Sequence, residues 1–261
     1  MSINDKNSVE KQYQTSKNLN ARISLHDKYS VNKQGFGNWI TGQYIIEDGM
    51  KVLELGCGTG SMWAGKAGLI KKCGTLVLSD FSYGMLEQTK ETLHEYEKFD
   101  NIEYRVIDIQ NIPYENNTFD IVIANMMLYH VPDLQKGLNE VRRVLKEGGK
   151  FYCATFGENG IMEYIYGLFE GYGVKASTNK AFTLQNGEEK LLKAFTKVTR
   201  YDYPDALEVT DLDDMADYVY SLTGMSDLKK ISRETLLKVL KENTVDGVLR
   251  VPKEYGMFVA E

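Results

Sequence analysis

The sequence predicts an α/β fold built on a mostly parallel sheet, and three observations carry that expectation. A short apolar run, Val52 to Leu55, breaks into the glycine turn Gly56-Cys57-Gly58-Thr59-Gly60 and then into helix-like sequence. From residue 50 to 156 apolar strands alternate with amphipathic helices, which implies parallel strands joined by right-handed crossovers. The length, 261 residues, suits a single α/β domain with additions. We divide it into an N-terminal cap segment (1–49), a core (50–156), and a remainder (157–261) of further strands and inserted helices.

The elements follow in order. Residues 1–20 are polar and expected to be loose. Residues 20–46 are helical in part, with Leu19, Ile23 and His26 on one face and Phe36, Trp39, Ile40 and Tyr44 forming another apolar stripe. Strands are expected at 51–55, 74–79, 102–107, 119–125 and 149–155, with helices near 61–72, 83–98 and 134–146. Ser82 is placed to cap the second of these helices. Asp133 caps the third, whose Leu138, Val141 and Leu145 repeat at helical spacing and whose stop is Gly148-Gly149. Later elements are a helical face at 158–172, a strand at 198–203, a helix capped by Thr210 with Asp213 at its third position, a helix at 233–242 and a last strand at 255–260.

Hydrophobic and charged residues make up 43% and 26% of the chain, ordinary for a globular protein with a buried core. The net charge of −6 makes a poor footprint for nucleic acid, where affinity rests on Lys and Arg meeting phosphates. Cys57, Cys73 and Cys153 form no Cys/His cluster with metal-ligand spacing, so no metal is expected and reduced buried thiols are. No apolar run is long enough to span a membrane, and the first residues lack a signal-peptide core, which points to the cytoplasm.

The glycine turn selects among nucleotide ligands. Dinucleotide folds place a third small residue at G-x-G-x-x-G/A, whereas this chain reads G-x-G-x-G with Ser61 next, and no Gly-Lys-Ser/Thr ends the turn as a phosphate loop would. In this register VLELGCGTG resembles the first motif of the class I S-adenosylmethionine (SAM)-dependent methyltransferases. His130-Val131-Pro132-Asp133 resembles a step of their ubiquinone/menaquinone-type (type 11) group. The resemblance covers about residues 45–156 well and 195–261 weakly. It implies a Rossmann-like seven-stranded sheet with the last strand antiparallel, and SAM as cofactor.

It also implies site residues. A ribose diol asks for a carboxylate that accepts two hydrogen bonds, and Asp80, ending the second strand, stands where the family has one; a helix N-terminal charge beside Ser82 is the plainer alternative. Asp108 would take the adenine amine between walls of Phe81 and Ile109, or be a turn residue. Asn125, Gly56 and Gly58 would approach the methionine tail. Glu54 would either reach the tail amine through water or orient the glycine turn.

The catalytic set is less legible, because methyl transfer needs alignment first and a base only for some nucleophiles. His130, past the fourth strand, and His26, in the cap segment, are the candidates, each with a structural alternative; His94 is expected to be solvated. Tyr13, Arg22 and Tyr29 share the cap segment with His26. Among 17 tyrosines, Tyr164, Tyr166 and Tyr172 with Phe169, and Tyr218 with Tyr220, either wall an acceptor pocket or pack the core. The expected activity is methylation of a small-molecule acceptor by a monomer or homodimer. Alternatives are a SAM-binding protein without turnover, an RNA methyltransferase, or, least favoured, an NAD-dependent oxidoreductase.

Overall fold

A computed structural model describes residues 17–96, 98–174, 178–221 and 227–261, with side chains from residue 23 onward. Seven strands form one sheet: β1 Lys51–Leu55, β2 Thr75–Asp80, β3 Ile102–Val106, β4 Phe119–Ile123, β5 Leu145–Phe156, β6 Val198–Val209 and β7 Leu249–Ala260. Their order is β3-β2-β1-β4-β5-β7-β6. The strands from β3 to β5 pair in parallel, and β7 lies antiparallel between β5 and β6. The expected Rossmann-like sheet, with its last strand reversed, is therefore observed.

The central strands read as nearly continuous apolar runs because both of their faces are covered. Leu53, Leu55, Val77, Val122, Phe151 and Cys153 pack into one core layer. Their alternating neighbours Val52, Leu76, Leu78, Ile121, Ile123 and Tyr152 pack into another. A third cluster joins the ends of β6 and β7 to Leu25, Ile165, Phe169 and Met215. Leu25, Ile165 and Met215 come from helices outside the alternating core, α1 Lys17–Tyr29, α6 Ile161–Leu168 and α8 Leu212–Ser221, and Phe169 caps α6; the short α7 spans Gly187–Leu191.

The core helices are α3 Ala67–Lys72, α4 Tyr83–His94 and α5 Leu134–Val144. The caps read from sequence are present: Met85 N donates to Ser82 Oγ at 3.4 Å, and Lys136 N to Asp133 Oδ1 at 3.0 Å. Three expectations are corrected. The first helix starts only at Ala67, because residues 61–65 form successive turns that end at Gly65 with φ +70°. α5 stops at Val144 and not at the Gly148-Gly149 pair. Leu145 is already extended and begins β5, while Gly148 (φ +71°) lies within that strand, where the register against β4 shifts. The cap of α8 is Asp211 and not Thr210, since Asp213 N donates to Asp211 Oδ1 at 2.9 Å.

β6 and β7 are each twice as long as their apolar patterns suggest, despite Pro204 and Pro252 within them. A proline cannot donate to a ladder and is tolerated where a strand has an open side. β6 is an edge strand, and β5 pairs β7 only from Tyr255 to Ala260, so Pro252 faces β6 alone.

The described part of the N-terminal segment is docked. Val31 N donates to Ala206 O at 2.9 Å, and Lys28 Nζ and Tyr29 Oη both donate to Asp214 Oδ2. The helix α2 Phe36–Thr41 follows, with Phe36 and Trp39 stacked and Ile40 buried. Residues 1–16, with Tyr13, and the side chains of Leu19 and Arg22 lie outside the described residues.

Candidate active site

The carboxyl ends of β1, β2, β3 and β4 open on one edge of the sheet, and a cavity of about 500 Å³ lies there. Every site residue read from the sequence lines it: Glu54, Gly56, Gly58, Asp80, Phe81, Asp108, Ile109, Asn125, His130 and His26.

The turn after β1 uses its glycines differently. Gly56, Gly58 and Gly60 all have positive φ, a conformation that costs other residues energy. A Cβ at Gly56 would sit 2.9 Å from Met127 Cγ, and one at Gly60 would sit 2.8 Å from Thr89 Cγ2, so these two are packing glycines. A Cβ at Gly58 would meet nothing within 4 Å; its open side belongs to the cavity. Gly58 N donates to Asp80 Oδ2 at 3.0 Å, which ties the turn to the end of β2.

Asp80 also accepts from Ser82 N, at Oδ1 and 2.8 Å, so it braces the helix start as the plainer reading has it, and it also lines the cavity. Burial pushes its ionisation up, and the backbone N–H groups of Ser82, Gly58 and Phe81 offset part of that. Asp108 Oδ1 accepts from the Gln110 backbone and side chain, both at 3.0 Å. Ile109 is buried, whereas Phe81 is 38% exposed at the cavity rim.

Glu54 is buried and accepts a 2.6 Å hydrogen bond from the Trp63 indole at Oε2. Burial raises its ionisation to about 7; Asp80 adds to the rise, while Trp63 and Asn125 oppose it. Asn125 Nδ2 donates to the buried Tyr44 hydroxyl at 2.7 Å, and its Oδ1 is a buried acceptor with no hydrogen bond among the described residues. The next residue, Met126, has φ +54°, a conformation rare for a non-glycine residue and common at functional sites. Sequence reasoning missed Trp63, Tyr44 and Met126, because nothing in local periodicity marks a partner across the fold.

The far half of the cavity is closed by elements outside the core: Ile23 and His26 of α1, Phe36 of α2, Ile161 and Met162 of α6, and Tyr255 of β7. Tyr129 packs on His130 and Phe156, with ring centroids 4.6 and 4.7 Å away. Asn179 donates to Tyr129 O at 2.6 Å and pins the loop after β4. Of the tyrosine group, Tyr218 lines the cavity, while Tyr166 and Phe169 are core and Tyr172 is half exposed. Tyr29 is engaged with Asp214. His94 ends α4 on the exposed side.

All three cysteines are free and buried. Among the described residues no helix is long and apolar enough to cross a membrane.

The sheet order, with a glycine turn facing two strand-end carboxylates, is a Rossmann-like arrangement that places a ligand at the carboxyl ends of the strands. Residues 53–153 match a family model described as a methyltransferase domain. The ubiquinone/menaquinone biosynthesis C-methyltransferase UbiE of Cronobacter sakazakii is 34% identical over 111 residues, 42% of this chain and 44% of that protein. The UbiE of Escherichia coli strain K12 / DH10B is 32% identical over 127 residues, 49% and 50% of the two chains. The chain thus spans about half the length of the curated relatives it matches. Residues 53–153 are similar to a methyltransferase domain of the type 11 group.

Solved structures extend the likeness in fold only. A methyltransferase from Bacillus halodurans C-125 superposes with a TM-score of 0.57 at 18% identity, over 86% of this chain and 96% of that one. The 4+2 cyclase SpnF reaches 0.62 at 16%, over 97% and 95%. A cyclase among the neighbours shows that this fold alone does not name a reaction.

Proposed function

We propose that the chain transfers the methyl group of SAM to a small-molecule acceptor with an apolar body. The observation that carries the reading is the meeting of Asp80, Asp108, Glu54 and the open side of Gly58 in one cavity whose far half is apolar and aromatic.

The donor set fits the cofactor. Asp80 would accept the ribose hydroxyls with lone pairs beyond those used by Gly58 and Ser82. Asp108 would take the adenine amine, with Phe81 and Ile109 as walls. The open side of Gly58 admits the methionine tail, and the unpartnered Oδ1 of Asn125 and the weakly solvated Glu54 supply acceptors for its ammonium. When bound, SAM supplies an electrophilic methyl on a sulfonium. The protein's part is to align the acceptor in line with that methyl and to exclude water. Gly56 lets Met127 close over the turn, and Tyr129 and His130, on the loop after β4, line the same cavity, where they would orient the acceptor.

Burial holds His26 down to about 3, so it serves as a neutral hydrogen-bonding group and would be a poor base. Three buried thiols fit a cytoplasmic setting, and the acidic balance fits a partner other than nucleic acid. Incubation with SAM and a panel of uncharged aromatic acceptors tests the proposal. Acceptor-dependent release of S-adenosylhomocysteine (SAH) is expected. Tight SAM binding with no turnover on any acceptor would favour a non-catalytic binding protein.

A further inference from the structure

Behind the acceptor half of the cavity lies a buried charged cluster that the methyl-transfer reading does not use. Lys253 of β7 and Asp205 of β6 are direct cross-strand partners, as are Tyr255 and Tyr203 two residues along, so all four side chains share one face of the ribbon. Lys253 Nζ lies 2.6 Å from Asp205 Oδ2, with the two side chains 2% and 0% exposed. Nζ also donates to Ser30 Oγ at 3.0 Å, and Ser30 Oγ donates to the same Asp205 oxygen at 2.8 Å. Asn32 N and Ala206 N donate to the other carboxylate oxygen, at 3.0 and 2.9 Å. The ammonium stands 4.9 Å from the Tyr255 ring centroid and 5.6 Å from that of Tyr203.

Such a pair is weak evidence for stability, since desolvating two charges costs about what their attraction returns. Its position suggests another role. The Tyr255 hydroxyl lies 3.4 Å from His26 Nε2, and both residues line the cavity. The His26 ring meets Tyr255 at 5.7 Å and Tyr218 edge-on at 5.9 Å. A cation over the Tyr255 face draws electron density from the ring and makes its O–H a stronger donor. A hydroxyl that donates to Nε2 leaves the proton of a neutral imidazole on Nδ1. His26 Nδ1 makes no hydrogen bond among the described residues.

We infer that Lys253 and Asp205 are positioning residues that act through Tyr255 to hold His26 as a neutral Nδ1–H donor for an oxygen on the methyl acceptor. The inference rests on the proposed methyl-transfer reading. Burial foremost, and then Lys253, hold His26 neutral, with Asp205 opposing only in part.

The test is ¹⁵N NMR of histidine-labelled protein loaded with SAH. In the parent at pH 7, His26 should show a pyridine-type Nε2 and a pyrrole-type Nδ1. Tyr255→Phe, and the double variant Lys253→Met/Asp205→Leu that leaves no buried charge unpaired, should each give mixed tautomers. Phenol should shift the Nδ1–H signal, and toluene, its match in size, should not. A parent His26 that is Nε2–H or protonated, variants that keep the parental tautomer, or equal responses to phenol and toluene would each overturn the inference. SAH calorimetry on the same samples reads the cofactor assignment separately: absent SAH binding in the parent counts against methyl transfer, whereas a wrong tautomer with SAH bound counts against the positioning pair alone.

Discussion

Glu54 should make the cofactor-free protein less stable as pH rises through neutrality. Its carboxyl is buried, with the Trp63 indole and the Asn125 amide as donors, and its ionisation rises from 4.5 to about 7. A raised folded-state value means that the folded state holds the proton more tightly than the unfolded chain. The stabilisation is fully present below about 4.5 and is lost as pH climbs through about 7. The rise of about 2.5 pH units, at ~1.36 kcal/mol each, corresponds to about 3 kcal/mol. That is a large part of a typical domain stability of about 5–15 kcal/mol. The perturbation is Glu54→Gln, which keeps the shape and can still accept from Trp63 but does not ionise. Urea unfolding of parent and variant from pH 4.5 to 8.5 isolates the effect as a difference, because other titrating groups are common to both. The variant should gain on the parent by about 3 kcal/mol across this range, with half of the gain reached below pH 7. Parallel profiles would refute the reasoning and show that Glu54 is solvated in the folded state.

Other outcomes follow from the same geometry. Asp80→Ala should weaken SAH binding by about 1.5–3 kcal/mol for each charge-assisted bond lost, and Asp108→Ala by less, as calorimetry can read. Gly56→Ala should lower stability by at least about 1 kcal/mol, since its φ is positive and its Cβ would meet Met127; Gly58→Ala should reduce SAH affinity more than its positive φ alone reduces stability, as paired unfolding and binding curves will show. Met126→Gly should stabilise the protein by about 1 kcal/mol if relief of the positive φ dominates, and denaturant midpoints measure it. His130→Ala should lower turnover while leaving SAH affinity within about twofold, because its proposed role is on the acceptor; equal loss of both would place it in the cofactor site.

The core was legible because parallel strands covered on both faces write themselves as apolar runs, and because the glycine turn between β1 and α3 has few chemical alternatives. Asp80 and Asp108 could be placed from sequence since the first ends and the second follows a strand whose end the topology fixes. The partners of Glu54 and Asn125 were not legible: Trp63 sits in irregular turns and Tyr44 in a loop 81 residues from Asn125, and only the folded chain brings them together. The Lys253–Asp205 pair was hidden for a similar reason. Pro204 and Pro252 interrupt the strand pattern, so the register that sets the two charges opposite each other has no local signature. Sequence spacing also misjudged helix ends at Lys66 and Val144, where backbone turns and an early strand start decide the boundary.

The most direct measurement is isothermal calorimetry of the protein with SAM, SAH and NAD in parallel. SAM and SAH should bind at low-micromolar strength or better, NAD should give no heat of binding, and Asp80→Ala should weaken the first two. NAD binding with indifference to SAM and SAH would contradict the account at its centre.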